Sequence, residues 1–187
     1  MNKAFKYRLK PNKQQEILIQ KTFGCCRFIY NKMLGDKIAY YQETKLSLKN
    51  TPAQYKSEFE WLKEVDSYAL CNEQMHLQSA YNNFFKNPKT GFPKFKSKKF
   101  DKKSYTTNNV NGIIRIGSDN VPHLPRIGNI RFIEHRRIPV EVFPIEKDMT
   151  DAELSQLLAE KLNDKSQVVN IMFLFLPNTN IKFQITK

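Results

Sequence analysis

The chain has 187 residues, 40% of them hydrophobic and 12% aromatic, which is enough apolar material for a packed core and excludes global disorder. Lys and Arg number 31 against 18 Asp and Glu, a formal net charge of +13 that points to a polyanionic partner. Three cysteines without CxxC spacing argue against a disulfide framework or zinc finger, and neither an apolar leader nor a membrane-length run occurs, so a soluble, cytoplasmic chain is expected.

In chain order, Phe5, Tyr7 and Leu9 alternate with Lys6, Arg8 and Lys10, the periodicity of a strand with a basic outer face, and Pro11 ends it. Asn12, three residues before Gln15, is placed to cap a helix. Ile19, Phe23, Cys26, Tyr30 and Met33 then recur at three- and four-residue steps, which predicts a long helix interrupted near Gly24 or Gly35, with Arg27 adding charge. Lys45 to Pro52 reads as a loop, and a short helix is expected to lead to Trp61. Asp66 is the expected N-cap of a second strong helix whose apolar stripe is Leu70, Leu77, Tyr81 and Phe84. Ser67, Cys71, Gln74 and Gln78 share another face of that helix, at spacings of four, three and four. Short polar groups on a helix can read base edges in the major groove, and the plainer reading is a mildly polar solvated face.

Between Lys86 and Lys103 eight lysines face one acid, Asp101, and Phe92, Phe95 and Phe100 are threaded among them, with Tyr105 just beyond. Lysines such as Lys94, Lys96, Lys98, Lys99, Lys102 and Lys103 can neutralise phosphates, while the rings offer faces to unpaired bases. The alternative is a solvated, poorly ordered linker. The polar cluster that follows, including Tyr105, Thr107, Asn108, Asn109 and Asn111, suits phosphate, sugar and adenine contacts, and Asn111-Gly112 is equally a hairpin signal. Ile113 to Ile116, Arg126 to Ile127 and Ile130 to Ile133 are expected as short strands broken by Gly117, Pro122, Pro125 and Gly128, with Arg115, Arg126, Arg131, Arg136 and Arg137 as further phosphate-capable groups.

Residues 1–139 hold 26 basic and 11 acidic residues, whereas 140–187 hold 5 and 7, so a polyanion-binding region precedes a nearly neutral tail. In that tail, Thr150 to Glu153 forms a capping box for a helix through Leu154, Leu157, Leu158 and Leu162. Val168 to Leu176 and Ile181 to Ile185 predict a hairpin turning at Pro177 to Asn180. His76, His123 and His135 lack metal spacing, and Asp148, Asp151 and Glu153 cluster at a helix start, where acids are favoured structurally. No cofactor, metal site or catalytic residue is assigned.

Tyr7-Arg8-Leu9-Lys10-Pro11, Thr22 to Asn31, Trp61 to Asp66, Asn83-Phe84-Phe85, Gly91 to Lys98, Ser104 to Asn108 and Leu124 to Gly128 occur in an order that resembles the N-terminal half of the OrfB/TnpB proteins of insertion sequences. The resemblance spans residues 3 to 139. It implies an RNA-guided DNA endonuclease related to type V CRISPR effectors, whose partners are a structured guide RNA and double-stranded DNA beside the target. It also implies an α+β fold: a small antiparallel, wedge-like β-barrel split by a helical insert. The expected divisions are 1–11 as first barrel strand, 12–100 as helical recognition insert, 101–139 as remaining barrel, and 140–187 as an atypical tail with an extra helix and hairpin. By the same likeness the helix after Asp66 and the segment after Ser104 lie against duplex DNA, though Ser67 and Cys71 stand where relatives often carry Lys and Gln. The family's RuvC acids do not appear in residues 140–187. The expected function is therefore a non-catalytic nucleic-acid-binding remnant. The alternatives are the recognition half of an endonuclease completed by a separate nuclease or transposase polypeptide, and a stand-alone repressor with a helix-turn-helix between Asn12 and Tyr41.

Overall fold

The computed structural model describes residues 4–100, 103–110, 113–116, 121–133, 170–176 and 180–186; for 4–6, 116, 170–176 and 180–186 only the backbone is considered. The chain opens with strand β1 (Ala4–Lys10), ended by Pro11 as its sequence requires. Helix α1 (Lys13–Thr44) follows. Its start is fixed by a reciprocal cap in which the Asn12 Oδ1 accepts the Gln15 amide at 2.8 Å and the Gln15 Oε1 accepts the Asn12 amide at 3.0 Å. The expected interruption is absent: α1 runs unbroken through Gly24 and Gly35. Glycine in a helix costs about 1 kcal/mol relative to alanine, which the buried face of Ile19, Phe23, Cys26, Ile29, Tyr30, Met33 and Leu34 readily outweighs.

A four-residue helix α2 (Pro52–Tyr55) and a 3-10 turn over Glu60–Glu64 carry the chain past Trp61 to helix α3 (Ser67–Lys86). Asp66 caps α3 as expected, its Oδ1 accepting the Tyr68 amide at 3.0 Å. Leu70 and Leu77 are fully buried against α1, whereas Tyr81 and Phe84 are only half-buried. Cys25 and Cys26 are buried in the core, while Cys71 is exposed.

Seven further strands follow among the described residues. β2 (Ser104–Asn108), β6 (Arg131–Ile133), β7 (Asn170–Leu176) and β8 (Asn180–Thr186) join β1 in an antiparallel sheet of order β2-β7-β8-β1-β6. β3 (Arg115–Ile116), β4 (Pro122–Leu124) and β5 (Gly128–Asn129) make a second, three-stranded antiparallel sheet. Among the described residues both sheets are open and no closed barrel forms, so the α+β class holds while the barrel does not appear. Two local expectations are corrected. Pro122 begins a strand instead of breaking one, because a first residue needs no ladder amide. Arg126 and Ile127 lie in the turn between β4 and β5, with Arg126 at φ 64°, a left-handed backbone that suits a turn.

The tail hairpin takes a central place. Ile171 to Ile185 and their neighbours pair β7 with β8, β8 lies along β1 from Ala4↔Thr186 to Leu9↔Ile181, and β7 lies along β2 from Ser104↔Leu174 to Asn108↔Asn170. The helix expected from Thr150 lies outside the described residues. The small sheet is tied to α1 by Gln15, whose Nε2 donates to the carbonyls of Asn129 at 2.7 Å and Ile127 at 3.3 Å.

Candidate nucleic-acid interface

The lysine-rich segment is not a free linker. Asn31 of α1 grips the backbone of Lys96 from both sides, accepting its amide at 2.7 Å and donating to its carbonyl at 2.8 Å. Phe95 crosses α1 at Gly35, where an added Cβ would meet its ring at 3.9 Å. Held there, Lys96 turns inward, while Lys94, Lys98 and Lys99 are exposed. The Lys96 ammonium lies 2.5 Å from the Glu73 carboxylate and 4.3 Å from the centre of the Tyr30 ring. Lys94, Lys98 and Lys99 pair with no carboxylate among the described residues. Lys99 lies 5.3 Å from the centre of the exposed Phe100 ring. Lys103 is exposed, and half-buried Arg27 joins it, Lys96 and Glu73 around a small void that Phe23 and Cys26 also line.

Glu73 was not signalled as a site residue, yet it falls in line with Ala69 and Leu77 at four-residue steps on the buried face of α3. Burial pushes its carboxyl upward, but the hydrogen bond from His76 and the charge of Lys96 outweigh that, and the group lies below the usual glutamate range. Asn72 was also missed. Its Nδ2 donates to the Tyr68 carbonyl at 3.0 Å, the Thr106 carbonyl at 2.9 Å and the Asn108 Oδ1 at 3.2 Å, and so fastens β2 beside α3. An in-line acid or amide on an otherwise apolar helical face was the available signal for both.

The expected DNA-reading residues divide in two. Ser67, Cys71 and Gln78 are exposed and Gln74 is half-buried, all on one side of α3, with Ser67 Oγ accepting from Lys56 Nζ at 2.8 Å and Gln78 donating to Asn82 at 3.1 Å. Asn108 is held against this helix by Asn72. Tyr105 and Thr107, however, occupy the inward positions of β2, at 3% and 1% exposure, and Thr107 donates to the Asp66 carboxylate. These two side chains pack and cap; they do not face a ligand, because strand alternation sends every second residue to the core. Asn109 accepts the Ile114 amide at 3.0 Å and stabilises a turn.

The remaining cations lie along the sheets. Lys10 and Arg131 are exposed and directly opposite each other across β1 and β6, a like-charge pair that disfavours the sheet unless an anion lies between them. Arg8 is half-buried, its Nε lacking a hydrogen-bond partner among the described residues, and Arg115 and Arg126 are exposed on the small sheet and its turn. Lys102, Asn111, Arg136, Arg137 and His135 lie outside the described residues, as does the side chain of Lys6. His123 Nδ1 lies 2.8 Å from Asn129 Oδ1. Among the described residues no group of three His, Cys, Asp or Glu is arranged to hold a metal ion, and no helix is long and apolar enough to cross a membrane.

Comparison with known proteins bears on this geometry. Residues 1–45 match the helix-turn-helix domain of OrfB proteins of the IS605 type, a stretch that here comprises β1 and the unbroken α1. A Streptomyces pristinaespiralis protein named as an RNA-guided DNA endonuclease is 37% identical over 106 residues, 53% of this chain and 26% of its own length. The Escherichia coli (strain K12) protein InsQ, named in the same way, is 33% identical over 104 residues, 51% of this chain and 25% of its own. The Salmonella dublin virulence protein VsdF is 35% identical over 116 residues, which cover 52% of this chain and 95% of VsdF. The chain belongs to the OrfB family of insertion-sequence proteins. The chain matches about a quarter of the length of these two endonuclease relatives.

Proposed function

We propose that this OrfB-family chain is a nucleic-acid-binding recognition module that holds a structured guide RNA on its lysine-rich segment and sheet arginines, and sets the polar face of α3 against duplex DNA beside the target. The carrying observation is the sorting of charge. Lys96 is turned inward onto a buried carboxylate, while Lys94, Lys98, Lys99, Arg115 and Arg131 face solvent with no acidic partner among the described residues. Such a surface releases counterions from a phosphate chain. Base pairing then carries most sequence reading, and the protein recognises backbone and a short duplex motif. Cleavage is assigned to no residue of this chain; a partner polypeptide with a nuclease centre would supply it. Comparing RNA with duplex DNA in binding assays separates this reading from a stand-alone repressor with a helix-turn-helix between Asn12 and Tyr41, which lie within the residues that match the OrfB helix-turn-helix domain.

The test is salt-dependent binding. Replacing Lys94, Lys98 and Lys99 together with Ala should weaken binding to all sequences and reduce the slope of log K against log salt by roughly 2, near 0.7 to 0.9 for each lost phosphate contact. Gln74→Ala with Gln78→Ala should change preference among duplex sequences and leave that slope alone. An unaltered slope in the triple lysine variant would remove the phosphate role.

A further inference from the structure

The sequence stripe places Tyr81 and Phe84 in the core of α3, but the structure leaves them only half-buried, within a cluster of four rings at the end of the helix. Tyr81 and Phe85 are near parallel, 19° apart in plane with centroids at 6.3 Å. Phe84 lies 5.4 Å from Phe85, and Phe92 meets Tyr81 and Phe84 edge-on at 5.5 Å each. The chain is shaped to return Phe92 to the helix. Asn87 accepts the Lys89 amide at 3.2 Å, Pro88–Thr90 form a 3-10 turn, and Gly91 adopts φ 79°, a backbone that favours glycine. The cluster nevertheless remains open: Phe85 is 73% exposed and Phe92 45%. Contiguous exposed rings of this kind mark a binding site and not a packing remainder.

The surrounding charge selects the occupant. Residues 74–100 contain no Asp or Glu, and Lys86 and Lys89 flank the rings, both exposed. An apolar protein surface would gain nothing from that cationic border, whereas a phosphate chain bearing flat bases satisfies both features. Bases in a duplex are already stacked on one another, so only unpaired ones can lie on a side-chain ring. We infer that the ring cluster at the end of α3, led by Phe85, is a stacking platform for an unpaired base of single-stranded nucleic acid, with Lys86 and Lys89 holding the adjacent phosphates. The inference rests on the nucleic-acid reading above and assigns its single-stranded contact.

Binding of a fluorescent oligouridine of about ten nucleotides and of a hairpin duplex should be compared in the full chain. Phe85→Ala should lose roughly 10- to 100-fold in affinity for the single strand, keep duplex affinity within about twofold, and leave the salt slope unchanged. Lys86→Ala with Lys89→Ala should lower the slope instead. Phe85→Trp should restore single-strand binding, with emission beyond that of Trp61 quenched as the strand is added. Wild-type single-strand affinity in Phe85→Ala, equal loss for both ligands, or Phe85→Trp binding without quenching each overturns the platform alone. Binding of neither ligand by the wild-type chain would remove the nucleic-acid reading as a whole.

Discussion

Glu73 holds the segment that carries the exposed lysines through Lys96, and His76 of the same helix lies 3.4 Å from its carboxylate. Because its carboxyl lies below the usual range in the folded chain, its contribution to stability is complete above the ordinary glutamate value near 4.3 and is lost as pH falls through the lower folded value. Wild type should therefore lose thermal stability as pH falls below about 4.3, and Glu73→Gln should flatten that part of the curve. At neutral pH the same variant should be destabilised by roughly 2 kcal/mol, since Lys96 keeps its charge without its partner. Parallel acid profiles of the two proteins in calorimetry would show that Glu73 carries no linkage. Burial likewise lifts the Cys25 thiol to about 11, so Cys25 packs with buried Cys26 as a small core hydrophobe, while Cys71 is exposed.

At the level of elements, sequence periodicity located β1, α1 and α3, and cap chemistry fixed Asn12 and Asp66 as starts. It misjudged glycine. A local rule reads Gly24 as a break, but α1 is held by its packed face, and nothing lies within 4 Å of a Cβ built at Gly24. Gly24→Ala should accordingly stabilise the chain by roughly 1 kcal/mol, a rise of about 2 to 4 °C in Tm. A fall in Tm would mean that an unseen neighbour needs the space. β2 shows the opposite lesson: its polar composition, Ser104 to Asn108, conceals a strand whose alternate residues are core. Composition alone does not say which side of a strand is covered.

For the whole molecule, the tail hairpin decides the architecture. It is sequence-distant and nearly neutral, yet β8 lies beside β1 and β7 beside β2, so two strands far apart in the basic region are joined through it. Removing residues 140–187 would leave β1 and β2 with unpaired backbone edges. Such a truncation should associate or precipitate, as sedimentation velocity would register; a monomeric truncation with unchanged circular dichroism would make the hairpin dispensable. The cations of both sheets and the lysine segment depend on this frame for their mutual placement.

Charge, apolar periodicity and cap spacing act over a few residues, so the sequence by itself determined the polyanion-seeking character, the two long helices, the first strand and the paired strands of the tail. Burial and partner choice depend on residues far apart in the chain. Only the tertiary structure could therefore turn Lys96 inward onto Glu73, bury Tyr105 and Thr107, expose the rings around Phe85, and insert the tail hairpin between β1 and β2, since each outcome is set by which surfaces meet.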